Sequence, residues 1–167
     1  VYLKEGLTEV LGTSINSEPS ETAIDTAAKI DFCVKSFGLD YTKGILQRAG
    51  RAGLYYWLRD HAESYGWQLP EYRLLSFRQK IKRGLEDITA WLEKNSSNKF
   101  SIAADKEKMV IHYSDEHQLS HVYNPFYLGL FQEFLSWTAS GKFFPAAEVD
   151  CDKPGVHVFE IKLNSLD

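Results

Sequence analysis

Residues 41–66, YTKGILQRAGRAGLYYWLRDHAESYG, contain no proline and carry apolar side chains at helical spacing. They read as one helix of about seven turns. Ile45, Leu46, Ala49, Ala52, Gly53, Tyr56 and Trp57 form a single stripe along it. Gly44, Gly50 and Gly53 lie in the same segment, and each costs about 1 kcal/mol relative to alanine in a helix interior. Close approach of another helix is the expected compensation, because a missing side chain lets two axes come together. Gly44, Ala49, Gly50 and Gly53 are therefore the expected helix-packing or dimer residues.

The rest of the chain supplies the partners. Residues 1–19 show little periodicity, and SINSEPSE within them is rich in Ser, Asn, Glu and Pro, so this stretch reads as an N-terminal arm. Residues 20–167 read as one domain. Ser20 sits at a helix N-cap position, and Ile24, Ala27, Ala28 and Phe32 continue a helical pattern that ends near Gly38. Gly66 and Pro70 break the chain after the long helix. Phe77, Ile81, Leu85, Ile88, Trp91 and Leu92 then mark one face of an amphipathic helix with a basic N-terminal half. KFSIAADKEKMVIHYSD alternates like a hairpin joined by DKEK. A further helix follows in NPFYLGLFQEFLSWTASGK, with Phe126, Leu130, Phe134 and Trp137 on its buried face. Two more strands, FFPAAEVDC and VHVFEIKLN, are joined by DKPG. This order predicts an α+β domain: an antiparallel sheet of about four strands packed against a helical bundle.

The chain has 19 Lys and Arg against 23 Asp and Glu, a formal charge of -4. Mild acidity argues against a nucleic-acid binder. No apolar run approaches the ~20 residues of a membrane span, which leaves peripheral membrane association open. No signal peptide is visible in VYLKEGLTEV, and Cys33 and Cys151 form no CxxC pair, so two reduced thiols in a cytoplasmic protein are expected. No GxSxG, HExxH, P-loop or strand-borne GxGxxG occurs, so no catalytic residue is assigned. His117 and His121 are four apart, as a metal pair on one helix face requires, but surface or capping roles are the simpler expectation and no metal site is assigned.

The informative feature is apolar. Four Trp, nine Tyr and ten Phe make 14% of the chain. Two aromatic helix faces, around Phe77 to Trp91 and Phe126 to Trp137, can either fill a core or leave an aromatic-walled slot between them. Trp57, Phe77, Trp91, Phe126, Leu130, Phe134 and Trp137 are the expected ligand-binding residues. Arg48, Arg51 and Arg59, with Lys80 or Arg83, are candidate anchors for a ligand carboxylate or phosphate.

On these residues the chain resembles the 4-vinyl reductase family, also called the hydrocarbon-binding domain. Pro125, Phe126 and Gly129 on a helix, then Glu148, Cys151, Gly155 and Phe159-Glu160-Ile161, match the family's C-terminal pattern, and Gly44, Gly50 and Gly53 match its glycine-bearing helix. The family's second cysteine in the last strand is missing, where His157 and Val158 stand. The resemblance implies a TRAPP-like fold, of the ligand-binding type found in NO signalling and Golgi transport. It also implies a homodimer formed through N-terminal helices, and a bound acyl chain or tetrapyrrole. Residues and resemblance together lead to the expectation of a non-catalytic binding protein for a hydrophobic small molecule. The alternatives are an assembly adaptor for a pigment–protein complex, and an accessory protein or enzyme of tetrapyrrole vinyl reduction.

Overall fold

The computed structural model describes residues 1–11, 23–114 and 120–164. Among the described residues, six helices and four strands follow in chain order: α1 (Tyr2–Leu11), α2 (Ala23–Phe37), α3 (Leu39–His61), α4 (Pro70–Arg73), α5 (Phe77–Asn95), β1 (Lys99–Ala104), β2 (Lys108–Ser114), α6 (Ser120–Thr138), β3 (Ala146–Val149) and β4 (Val156–Lys162). The expected α+β architecture is present: one antiparallel sheet, in the order β1-β2-β4-β3, against a helical bundle.

Alternation sets the sheet's inner face. Met109, Ile111 and Tyr113 on β2 are buried, and across the ladder Ile111 faces Phe159 and Met109 faces Ile161. Phe100 on β1 pairs with Tyr113 and stacks on it at 5.4 Å. His112 falls on the opposite face, half-buried. α5 and α6 pack against this sheet, α3 packs along α6, and α1 lies on α3. Each fully buried aromatic or aliphatic side chain in this arrangement contributes about 1.5–3 kcal/mol through burial.

Small residues set the helix crossings. A Cβ at Gly50 would overlap the backbone carbonyl of Phe126 on α6, and one at Gly129 would overlap the carbonyl of Gln47 on α3. The two glycines thus face each other's helix across one crossing. Gly53 is closed by the Tyr2 carbonyl at 3.1 Å and the Phe126 ring at 3.2 Å. A Cβ on Gly6 of α1 would overlap the carbonyl of Ala49. Gly50, Gly53 and Ala49 are therefore committed to packing within the chain, whereas Gly44 faces open space.

Three local expectations change. Residues 2–11 form a helix where an arm was expected over 1–19; Tyr2, Gly6 and Leu7 are buried on one face, too short a stripe to stand out by periodicity. Residues 12–19, with most of SINSEPSE, lie outside the described residues. Phe32, expected in the buried stripe of α2, is 67% exposed, and Ile30 is buried instead. α6 begins at Ser120, so Pro125 lies inside it rather than at its start. The break between α2 and α3 falls at Gly38, whose φ of 87° is the left-handed conformation that glycine adopts without strain. α5 starts as the sequence suggests, with a capping box in which the Ser76 N–H donates to Gln79 Oε1 at 3.0 Å.

Candidate functional site

The two aromatic helix faces behave differently at their two ends. At one end they close. Phe134 is fully buried against α5, where a Cβ on Gly84 would overlap its ring. Trp67 lies 5.4 Å from the Phe134 ring and stacks on Tyr72 at 5.5 Å. Phe77 stacks on Phe144 at 5.1 Å, away from Trp91. Trp137 is 40% exposed and borders a separate surface groove with Trp67, Tyr72, Arg73 and Lys80.

At the other end they stay apart. A cavity of about 470 Å³ lies among α1, α3, α5 and α6, walled by Tyr2, Trp57, Ile88, Trp91, Phe126 and Leu130 among others. The volume is within the range of small-molecule sites, about 300–1,000 Å³. Tyr127, Tyr123 and Leu92 continue the wall, and Ser96, Ser97 and Asn98 from the turn after α5 add its polar part. Exposed Val1, Asn95 and Ser96 mark the mouth.

Of the seven expected ligand-binding residues, Trp57, Trp91, Phe126 and Leu130 thus meet at one cavity. Phe77, Phe134 and Trp137 lie elsewhere. The slot lies between helices, and the sheet side is filled by Phe131, Tyr113 and Phe159. None of the basic candidate anchors lines it. Arg51 donates to Glu133 at 2.7 Å, Arg59 pairs with Asp60 at 2.6 Å, and Arg83 lies over the Tyr72 ring. Lys80 borders the Trp137 groove.

Two residues of the cavity wall each carry an unsatisfied, fully covered polar atom. Trp57 Nε1 and Ser97 Oγ are buried and have no hydrogen-bond partner among the described residues. A buried donor without a partner costs about 1–3 kcal/mol. No spacing rule in the sequence singles out Ser97, which came to the site only through the turn that joins α5 to β1. Asn98, buried beside it, donates to the Tyr127 hydroxyl at 3.4 Å.

Tyr2 closes the cavity from α1. Its hydroxyl donates to Asp60 Oδ2 at 3.1 Å and meets His61 Nε2 at 2.9 Å. Burial, and then the hydrogen bond and negative charge of Asp60, push its pKa up to about 12. The folded chain therefore keeps this proton in the range where the unfolded chain, near 10, has lost it. The stability it contributes is present below pH 10 and is lost as the pH rises from 10 to 12. Tyr2→Phe should flatten part of the alkaline fall in denaturation midpoint over that range, measured against wild type. An unchanged slope would show that Tyr2 titrates as a free phenol.

A second polar cluster joins α6 to the sheet. The Tyr113 hydroxyl donates to Asn124, whose amide donates to Glu148 and meets His157 Nδ1 at 3.0 Å. His157 and Glu148 are 3.4 Å apart. This cluster is satisfied internally and borders no cavity described above. Among the described residues no group of three or more His, Cys, Asp or Glu is placed to hold a metal. His117 lies outside the described residues, so the His117 and His121 pair does as well. Cys33 and Cys151 are free and half-buried rather than buried.

Solved structures place this architecture. The likeness is one of fold, to H-NOX domains. One, from a study of heme distortion in the H-NOX family, is 13% identical with a TM-score of 0.53, over 99% of this chain and 87% of that one. A second, an oxygen-binding H-NOX domain related to soluble guanylate cyclases, is 14% identical with a TM-score of 0.51, over 99% and 85%. A point mutant of the T. Tengcongensis H-NOX domain is 13% identical with a TM-score of 0.52, over 99% and 89%. No protein-family model matches the chain, and no curated protein does.

These findings overturn the resemblance to the 4-vinyl reductase family and the TRAPP-like label. The residues that carried it have general packing duties. Phe126 and Gly129 make the α3–α6 crossing. Gly155, at φ 70°, turns the chain into β4, and Phe159 and Ile161 are fully buried core. Glu148 belongs to the Asn124 cluster. Any chain with this crossing, turn and core strand selects similar residues, so a short pattern of them does not single out one family.

Proposed function

We propose that this chain is a non-catalytic binding protein for a hydrophobic small molecule, held in the cavity among α1, α3, α5 and α6. What carries the reading is the apolar, aromatic wall around about 470 Å³ of space. An apolar ligand in this space covers the wall. Ser96 and Ser97 have no His, Asp or Glu beside them on the described wall, so the serine hydroxyls lack the base that nucleophilic catalysis needs.

Heme and oxygen feature in the descriptions of the H-NOX structures above, which raises heme as a candidate occupant. Heme iron takes His, Cys, Met or Tyr as axial ligand. Among the described wall residues only Tyr2, Tyr123 and Tyr127 are of these types. Tyr2 holds its proton tightly between Asp60 and His61. No Lys, Arg or His side chain on the described wall meets a propionate. The described wall does not fit a heme, and an acyl chain or hydrocarbon suits it better than a carboxylate-bearing tetrapyrrole.

The test is displacement of Nile red by a homologous series of straight-chain alcohols. Each added methylene is expected to tighten binding about fourfold, from ~0.8 kcal/mol of burial, until the cavity is full. Leu92→Phe, which adds bulk to the wall, should weaken dye binding at least tenfold with the thermal midpoint held. Dye binding indifferent to chain length and to Leu92→Phe would remove the cavity reading.

One observation favours an adaptor reading beside it. Phe32, Phe37, Leu39 and Tyr41 are between 47% and 67% exposed at the α2–α3 corner. Such a cluster suits self-association, and sedimentation as a monomer at high concentration would remove that reading.

A further inference from the structure

The geometry points to a second binding site, in the surface groove beside Trp137, that takes a small flat anion: an aromatic ring carrying a carboxylate or phosphate. The groove holds about 420 Å³ and shares no lining residue with the cavity. It sits at the end where the two aromatic helix faces close. Its aromatic side is a ladder. Tyr72 stacks on Trp67 at 5.5 Å with the rings 8° apart, and Trp137 follows at 5.8 Å and 30°. Trp67 and Tyr72 are buried, while Trp137 is exposed. The Trp67 indole N–H donates to Asp87 at 2.7 Å, and the Tyr72 hydroxyl donates to the Lys80 carbonyl at 3.1 Å. The ladder is therefore fixed before any ligand arrives. A single exposed aromatic side chain needs no explanation. Trp137 differs because it ends a fixed stack beside a groove, and so offers a ligand ring apolar surface at little ordering cost.

The charge around this ladder is positive. Arg73 follows Tyr72 in the chain, the Lys80 carbonyl is bonded to the Tyr72 hydroxyl, and the Arg83 guanidinium lies 5.8 Å from the Tyr72 ring. Arg73 and Lys80 line the groove, and no Asp or Glu does among the described residues. Neither cation has an acid partner there, whereas Arg51, Arg59, Lys82 and Lys108 each have one. Asp87, bonded to the Trp67 indole, does not line the groove. The whole chain carries a formal charge of -4, so an acid-free groove edged by unpaired cations is a local departure. A guanidinium presents a fork of N–H donors to a carboxylate or phosphate, and an ammonium adds a point charge. A flat anion thus meets apolar surface with its ring and positive charge with its head. The two cations need not share one ligand atom for this. A flat cation would be repelled, and an uncharged ring would forgo the electrostatic part.

The full chain should be titrated by calorimetry with 2-naphthoate, 2-naphthyl phosphate, 2-naphthamide and acetate at neutral pH and low salt. At least one of the two naphthyl anions should bind tenfold or more tighter than 2-naphthamide and acetate, and the tighter of the two names the head. That anion should weaken several-fold in about 0.5 M NaCl, because the cations lie at the surface. In the NMR spectrum it should shift the one indole resonance that is missing in Trp137→Phe. The double variant Arg73→Gln, Lys80→Gln should weaken it at least fivefold and leave 2-naphthamide unchanged. The Lys80 carbonyl is main chain, so its bond to Tyr72 survives the substitution, and an unchanged thermal midpoint shows that the variant folds. Leu92→Phe, in the wall of the cavity, should leave anion binding unchanged. Naphthyl anions that bind no tighter than 2-naphthamide, or a stationary Trp137 indole resonance, overturn this inference. So does anion binding that survives the double variant and falls in Leu92→Phe, which would place the ligand in the cavity instead.

Discussion

Gly50→Ala is expected to be among the most damaging single-methyl additions in this protein. The new Cβ would fall on the Phe126 backbone carbonyl, with the Leu130 backbone nitrogen 3.0 Å away. Neither is a side chain that can swing aside. α3 and α6 would have to separate along their crossing, and the cavity wall at Phe126 and Leu130 would move with them. Overpacking costs typically ~1–3 kcal/mol, and backbone overlap belongs at or above the upper end of that range. At roughly 2–4 °C per kcal/mol for a chain of this size, the thermal midpoint should drop by about 6–12 °C. Gly129→Ala should behave alike, because its Cβ would fall on the Gln47 carbonyl across the same crossing. The double variant should cost less than the sum, since the first substitution already opens the crossing. Gly44→Ala is the internal control. It sits in the same helix with nothing within 4 Å, so it should gain about 1 kcal/mol of helix propensity and raise the midpoint. A Gly50→Ala midpoint at or above wild type would mean that the α3–α6 crossing is not as close as described.

That contrast also shows what was legible in the sequence. Three glycines in one long helix announce close packing, but the sequence cannot say which of them face a neighbour. Gly50 and Gly53 do, and Gly44 does not. Nor does it say whether the neighbour is another chain; here the neighbours are α6 and α1 of the same chain. The sheet was more legible. Alternation put Met109, Ile111 and Tyr113 on one face of β2, and the ladder brings two of them opposite Ile161 and Phe159. α1 was not legible, because Tyr2, Gly6 and Leu7 make only one short buried stripe and gain their meaning from Ala49 beneath Gly6.

The site was legible by halves. Residue type alone ranked Phe134 and Trp91 together, since both are aromatic and both lie on apolar helix faces. Their fates differ because of a residue facing one of them: Gly84 gives the Phe134 ring a place to sit, while Trp91 stands beside Tyr2 at 5.2 Å and borders space. The polar end of the cavity was invisible. Ser97 and Asn98 read as a turn, and a turn is what they form; their position under α6 follows from how β1 leaves α5.

Phe134→Ala is the second large effect expected, and its partner makes it diagnostic. Phe134 is fully buried, and its ring occupies the notch at Gly84, with Trp67 and Trp137 alongside. Truncating a buried Phe to Ala costs about 3–5 kcal/mol, through lost burial and the void left behind. The midpoint should fall by roughly 6–20 °C on the same scale. Gly84→Ala alone should also destabilise, because its Cβ would overlap the ring it cradles and lie 3.1 Å from the Tyr72 hydroxyl. Placed in a Phe134→Leu background, Gly84→Ala should cost less than it does in wild type, since the shorter side chain vacates the notch and the added methyl fills it. A cycle over these variants therefore predicts a favourable coupling of about 0.5–3 kcal/mol between the two substitutions. Additivity within error would separate Gly84 from Phe134. It would also leave no account of why the helix faces close at this end and part at the other, where Trp57, Trp91, Phe126 and Leu130 enclose the cavity.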